Sequence, residues 1–192
     1  MEAVRQGVVG RPRDEAIRRR ILKVALERVT SSGYMNVTVK DIADQAKVGR
    51  QTIYRWWTTK AEVILEAVLE NVASLTPEES SPEAFLKTTF KLARGVEGEA
   101  VVGLMADAQR DAKLHAQVKE KLTSPRRAGL KKLLEHYAAR QNSTFVIAVD
   151  DVVDILLGAM WYRLLDKHGP LDDAFAEELD YAIRRLLKKN PV

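Results

Sequence analysis

Cysteine is missing from this 192-residue chain. Disulfides, thiolate-held zinc and cysteine nucleophiles are therefore excluded, and the composition is compatible with a reducing, intracellular setting. Histidine is scarce: His115, His136 and His168 are the only ones. No two of them stand four residues apart, so neither a metal site nor a metal cofactor is expected. The N-terminus has no apolar signal core, and no uninterrupted apolar run approaches a bilayer span, so no membrane partner is expected. Sustained strand-like alternation, internal repeats and low-complexity tracts are also missing. There is no phosphate-cradling glycine loop, nucleophile–base pair or set of paired carboxylates, so the chain does not read as an enzyme. Asp150-Asp151 with Asp154, and Asp172-Asp173, open helices, where acidic groups favour the helix dipole; that accounts for them better than acid–base work.

What is present is helical periodicity and a skewed charge. A chain of this length buries roughly 70% of its unfolded surface and needs no covalent staples. The net charge is +4, but residues 1–60 hold 13 Lys/Arg against 6 Asp/Glu, whereas residues 61–192 hold 18 against 21. A polyanion partner for the first third is the simplest account of that skew, with ordinary surface charge as the plain alternative.

The pattern divides into a basic arm over 1–13, a compact helical domain over 14–60, a connecting helix over 61–76 and a larger helical domain over 77–192. In the arm, Arg5, Arg11 and Arg13 suit phosphates or a minor groove, with plain solvation as the alternative. Helices are predicted over 14–32, 39–46, 50–57, 60–74, 83–96, 98–111, 113–122, 126–141, 150–168 and 172–189. The fold class is all-α with about nine helices. Gly33 suits the left-handed position that closes the first helix. Thr38 and Asp41 are spaced as a helix N-terminal box. Proline and glycine punctuate at Thr76–Pro82, Pro125 and Gly169-Pro170. His168 stands near a helix end, in reach of the last carbonyls.

Residues 37–57 read as two short helices joined by the turn Lys47-Val48-Gly49. Ile42, Ala46, Val48, Ile53 and Trp57 make an inward set. Packing then leaves Arg50, Gln51, Thr52, Tyr54, Arg55 and Trp56 on the outside. Arg can clasp guanine, Gln adenine, and the Thr methyl can touch thymine, so this face suits a major groove. Thr38 and Lys60 lie at helix N-termini, where backbone N–H groups favour an anion; Lys40 joins the DNA-binding set. The same pattern, taken alone, also fits a plain helical packing module.

Thr38-Val39-Lys40-Asp41-Ile42-Ala43, then Ala46-Lys47-Val48, then Thr52-Ile53-Tyr54-Arg55-Trp56-Trp57-Thr58-Thr59-Lys60 resembles the DNA-binding segment of the TetR family of bacterial repressors. The likeness covers about residues 14–62. Leu157-Gly158-Ala159-Met160-Trp161-Tyr162-Arg163-Leu164-Leu165 and Gly169-Pro170-Leu171-Asp172 resemble the C-terminal domain of one subgroup. Two positions depart from the family: Lys47 stands where a turn glycine is usual, and Gly49 where a Ser or Thr cap is usual. The resemblance implies that Thr38, Tyr54 and Lys60 contact phosphates and that the Arg50–Arg55 helix reads bases. It implies a cytoplasmic, nucleoid-associated bacterial regulator, most simply a repressor that binds a palindromic operator as a dimer and is released by a small apolar or amphipathic inducer. A protein-interaction module is the alternative.

Helices 150–168 and 172–189 are the candidates for dimerisation, through Leu156, Gly158, Ala159, Phe175, Leu179, Ala182, Ile183 and Leu186. Small residues at 158 and 159 permit close approach, and two such helices from each chain would make a four-helix interface. The same helices would also serve to complete a monomer core. For a ligand pocket among the middle helices the candidates are Leu86, Phe90, Met105, Trp161 and Tyr162, with Arg94, Gln109 or Arg110 as polar handles. Each of these residues also reads as plain core.

Overall fold

The computed structural model describes residues 15–75 and 81–191. The basic arm and most of the Thr76–Pro82 turn lie outside the described residues. The helices are α1 (Glu15–Ser32), α2 (Val39–Gln45), α3 (Arg50–Tyr54), α4 (Lys60–Leu75), α5 (Pro82–Arg94), α6 (Val96–Ala108), α7 (Ala112–Val118), α8 (Ser124–Arg140), α9 (Val149–Asp166) and α10 (Asp173–Arg184). A 3₁₀ turn, Tyr34–Asn36, follows α1. A π-helical turn, Lys119–Thr123, carries α7 directly into α8, so the described residues make nine continuous helices. Among them, no helix is long and apolar enough to cross a membrane.

Three local expectations are corrected. Pro125 does not break the chain between two helices; it sits in the first turn of α8, behind the π turn. Proline has no N–H to give to the preceding turn, and a widened turn accommodates that loss. The recognition helix stops at Tyr54 rather than Trp57, and the Trp56 and Trp57 amides both return to the Ile53 carbonyl at 2.9 and 3.0 Å. The final helix ends at Arg184, and the chain then forms a short strand. That strand, β2 (Leu187–Lys189), pairs antiparallel with β1 (Ser143–Phe145), with Thr144 opposite Lys188. Three-residue strands are too short to show alternation in a sequence.

Two apolar cores organise the molecule. The first joins α1–α4 to α6 and α7, with Ile21, Ile42, Ile53, Ile64, Val68 and Leu104 essentially inaccessible. The second joins α5, α8, α9 and α10 around Phe90, Leu130, Leu134, Leu156 and Ile183. Helix α6 therefore belongs to the core of the N-terminal head although it follows residues 76–80 and α5 in the chain.

Two glycines permit the close approaches that hold α6. A Cβ on Gly98 would lie 1.9 Å from the Ala93 carbonyl oxygen, and one on Gly103 would lie 2.2 Å from the Tyr34 ring. Both distances are far inside van der Waals contact, so α6 meets α5 and the 3₁₀ turn only because those side chains are absent.

Candidate nucleic-acid interface and cavity

Helix α2 starts as its sequence requires. The Thr38 hydroxyl oxygen accepts from the Asp41 amide at 3.1 Å, and the Asp41 carboxylate accepts from the Thr38 amide at 3.1 Å, a reciprocal box. The same carboxylate accepts the Thr38 hydroxyl at 2.5 Å, and that bond holds Asp41 below the usual carboxylate range. The turn that follows carries both family departures. Lys47 adopts φ = 52°, the left-handed conformation that glycine takes without strain. Gly49 caps α3 with extended backbone and no side-chain bond, and the space around its missing Cβ is empty.

Helix α3 is only one and a half turns long, so tertiary contacts must hold it. Ile53 is fully buried, and the buried Trp57 donates its indole N–H to Glu66 at 2.7 Å. Glu66 also accepts from Arg18 Nε at 2.7 Å, which ties α1, α4 and the end of α3 into one junction. A charge-assisted pair of this kind is directional as well as attractive, so it sets the angle of α3 against the head.

With Ile53 and Trp57 inside, Arg50, Gln51, Tyr54 and Arg55 are exposed on the other side. Among the described residues none of these four side chains makes a hydrogen bond or ion pair within the fold. Thr52 and Trp56 are half-buried, Trp56 meeting the Trp57 ring edge-on at 5.2 Å. Lys40 is exposed beside Asp44 at 3.5 Å. Lys60 is more committed: its ammonium donates to the carbonyls of Tyr34 and Met35 at 3.0 and 3.1 Å and lies over the Tyr34 ring. An ammonium has three donors, so one remains.

Tyr34 was not singled out by its sequence, yet it joins the head to α6. Its ring is buried against Gly103, and its hydroxyl donates to Asp107 at 2.6 Å. Burial, with Asp107 adjacent, pushes its phenol well above the usual range, so it stays a donor. The other side of α6 opens on a cavity of about 110 Å³. Glu97, Gly98 and Val101 of α6 line it, facing Leu92 of α5 and Leu157, Met160, Trp161 and Leu164 of α9. Its polar groups are few. Arg126 donates to Thr89 and lies over the Phe85 ring, and the buried Glu97 accepts from Asn71. One helix thus touches the cavity on one side and the DNA-reading head on the other.

The expected pocket set is largely corrected. Of its members only Trp161 lines this cavity. Leu86 and Phe90 are buried in the second core, Met105 packs on the first, and Gln109 and Tyr162 are exposed. Arg94 points to a separate cleft, donating to the Leu171 carbonyl at 2.6 Å. Arg110, the other handle considered, is exposed after α6. The reason is rotational: helices apolar on most sides do not reveal which face meets a void and which meets a neighbour.

The dimer candidates divide the same way. Leu156 and Ile183 are 0% and 1% exposed inside the protomer's own core, so they offer nothing to a partner. Phe175 stacks on Phe90 at 5.5 Å, while Leu179 and Leu186 are half-buried against the same core. Gly158 and Ala182 are exposed and Ala159 is half-buried. Around them lie apolar groups outside the expected interface set: Ile155, Tyr162 and Leu165 on α9, and Tyr181 on α10, 49–64% exposed. The stripe 155–158–159–162–165 runs along one side of α9.

The histidine expectation also shifts. His168 Nδ1 faces Asp166 at 3.1 Å and its ring packs on Tyr162, instead of serving the last carbonyls; Lys167, in the left-handed region, caps α9. Asp150 and Asp151 stand in the first turn of α9 as expected, and Asp150 also pairs across helices with Lys131 at 2.7 Å, which holds its carboxyl below the usual range. Asp172 does cap its helix, accepting from the Phe175 amide at 2.9 Å.

Comparison with known proteins agrees with this geometry. Residues 21–67 match the family described as bacterial regulatory proteins, tetR family, and residues 83–182 match the tetracyclin repressor-like C-terminal domain. An uncharacterized HTH-type transcriptional regulator of Bacillus subtilis, YdeS, is 32% identical over 88% of this chain and 89% of its own length. The crystal structure of the TetR family regulator SCO0332 superposes with a TM-score of 0.67 at 26% identity, over 85% of this chain and 93% of that one. FadR of Bacillus subtilis, solved in complex with stearoyl-CoA, shares the fold with a TM-score of 0.64 at 18% identity, over 85% and 96% of the two chains. The helix-turn-helix head, the α6 bridge and the matched C-terminal domain place this chain in the TetR family of DNA-binding transcriptional regulators.

Proposed function

We propose that the protein is a dimeric, effector-controlled repressor of the bacterial cytoplasm. The observation that carries this reading is the outward face of α3, with two guanidiniums, an amide and a phenol exposed and unengaged on a helix whose other side is locked to the head. Long cationic and amide side chains in that state suit the base edges of a major groove. In this assignment Arg50, Gln51, Thr52 and Arg55 face bases. Thr38, Lys40, Tyr54, Trp56 and the remaining donor of Lys60 hold the phosphate backbone, and those contacts fix register. The exposed stripe Ile155, Gly158, Ala159, Tyr162 and Leu165, with Tyr181 and Ala182, seats the second copy. A two-fold dimer then presents two α3 helices to a palindromic operator, about 34–36 Å apart.

The cavity beside α6 is the effector site in this reading. A small apolar or amphipathic molecule there bears on Glu97, Gly98 and Val101. The same rigid helix carries Gly103 and Asp107 against Tyr34, so a ligand that prefers one setting of α6 also prefers one spacing of the heads. A gel shift with the DNA upstream of its own gene, across a salt series, tests the first half. The expected result is a specific complex that weakens steeply with salt, formed by a dimer in sedimentation. A monomer with no specific complex at moderate salt would sink the reading.

A further inference from the structure

A second opening adjoins the cavity. It is an open cleft of about 470 Å³ at the C-terminal ends of α5 and α9, and it presents Arg94, Arg163, Lys167 and His168. No carboxylate lines it. Arg94 and Arg163 each use one N–H on the α9–α10 loop, through the Leu171 carbonyl at 2.6 Å and the Pro170 carbonyl at 2.7 Å. The Arg163 guanidinium also lies over the Phe175 ring. Cations at helix C-termini are favoured in their own right, and these two also hold a loop. A guanidinium nevertheless has five donors, and neither Arg has a carboxylate within ion-pair distance among the described residues. The acids that neighbour the lining in the chain are engaged elsewhere: Asp166 faces His168 at 3.1 Å, and Asp172 accepts from the Phe175 amide at 2.9 Å.

Cleft and cavity share walls. Ala93 and Leu164 line both, and along each helix the lining passes from carbon to cation: Leu92, Ala93, Arg94 on α5, and Trp161, Leu164, Lys167 at the end of α9, with Arg163 beside them. The cavity is apolar along nearly all of its wall. An apolar cavity of about 150 Å³ takes a molecule the size of benzene, so this one, at about 110 Å³, takes the tail end of a chain whose remainder extends into the adjoining cleft. The geometry points to an effector that is an anionic amphiphile, its apolar chain between α5, α6 and α9 and its oxyanion head, carboxylate or phosphate, on Arg94 and Arg163 with Lys167 at the rim. Charge-assisted bonds to guanidinium are the strong ones and suit the paired oxygens of such a head. This deepens the reading of the cavity as the effector site and rests on it.

Calorimetric titration of the full chain with octanoate, octyl phosphate, octanol, octyltrimethylammonium and inorganic phosphate tests it. The expected result is that one or both oxyanion-headed chains bind at least about tenfold tighter than octanol, with a gap that narrows as salt rises. The better of octanoate and octyl phosphate identifies the head. Lys167→Gln, at an exposed position whose side chain makes no hydrogen bond or ion pair among the described residues, should lower oxyanion affinity about threefold and leave octanol unchanged. Arg94→Gln should bring octyl phosphate down to the octanol level, and Arg94→Lys should restore part of the loss. Octanol or the cationic chain binding as tightly as the oxyanions would overturn the head assignment while the cavity stands. Inorganic phosphate binding as tightly as octyl phosphate would overturn the shared site. No binding of any eight-carbon probe would overturn the cavity reading and this inference together. Release of bound operator DNA by the best probe is scored separately and bears on regulation alone.

Discussion

The two cores of this molecule do different kinds of work. The first fixes one small helix rigidly: Ile53, Trp57 and the Glu66 junction leave α3 a single orientation, and its outer face carries polar groups engaged with nothing in the fold. The second borders a void that it shares with the first, and leaves an apolar stripe exposed on α9. In the proposed function the first presents side chains outward and the second receives molecules. Helix α6 belongs to the first core and lines that shared void. In the proposed function, the regulatory link is therefore a shared helix.

The sharpest way to break the comparison is within the second core. Leu156→Ala should cost about 2–5 kcal/mol in denaturant unfolding, because the side chain is fully enclosed. Its neighbour Ile155 is 49% exposed, so Ile155→Asp should leave helicity intact and turn the dimer into a monomer in sedimentation. A stable dimer in Ile155→Asp would remove the stripe from the interface. Next in size is Gly103→Ala, which should destabilise by about 1–3 kcal/mol, because its methyl must displace the buried Tyr34 ring. Tyr34→Phe should cost about 1 kcal/mol for the bond to Asp107. It should also weaken the effector's influence on operator affinity while leaving operator affinity without effector nearly unchanged; unaltered coupling would show that α6 does not transmit through Tyr34. The smallest effects are at the turn. Lys47→Gly should raise stability by up to about 1 kcal/mol by relieving its left-handed backbone.

These differences also explain what could be read without a structure. Ile42, Ala46, Ile53 and Trp57 were legible because a short amphipathic helix has one apolar side and therefore one inward face. The Thr38–Asp41 box was legible because capping is local chemistry at fixed spacing. Leu156 and Ile155 were not separable, because α9 is apolar on most sides and only packing tells the protomer's core from its free face. Tyr34, Glu66 and Arg126 escaped for another reason: their partners Asp107, Trp57 with Arg18, and Thr89 are brought to them by the fold, not by sequence spacing. The π turn before Pro125 and the three-residue strands lie below the length at which periodicity can speak.

The most direct test of the account is the operator affinity of Arg50→Ala, Gln51→Ala and the unchanged protein, measured by fluorescence anisotropy on the operator and on every single-base variant of it. The account predicts that each substitution costs about 1–3 kcal/mol and relaxes preference at one base pair, leaving the others as they were. Equal weakening on every DNA sequence, with base preference intact, would contradict the assignment of the α3 face to base reading.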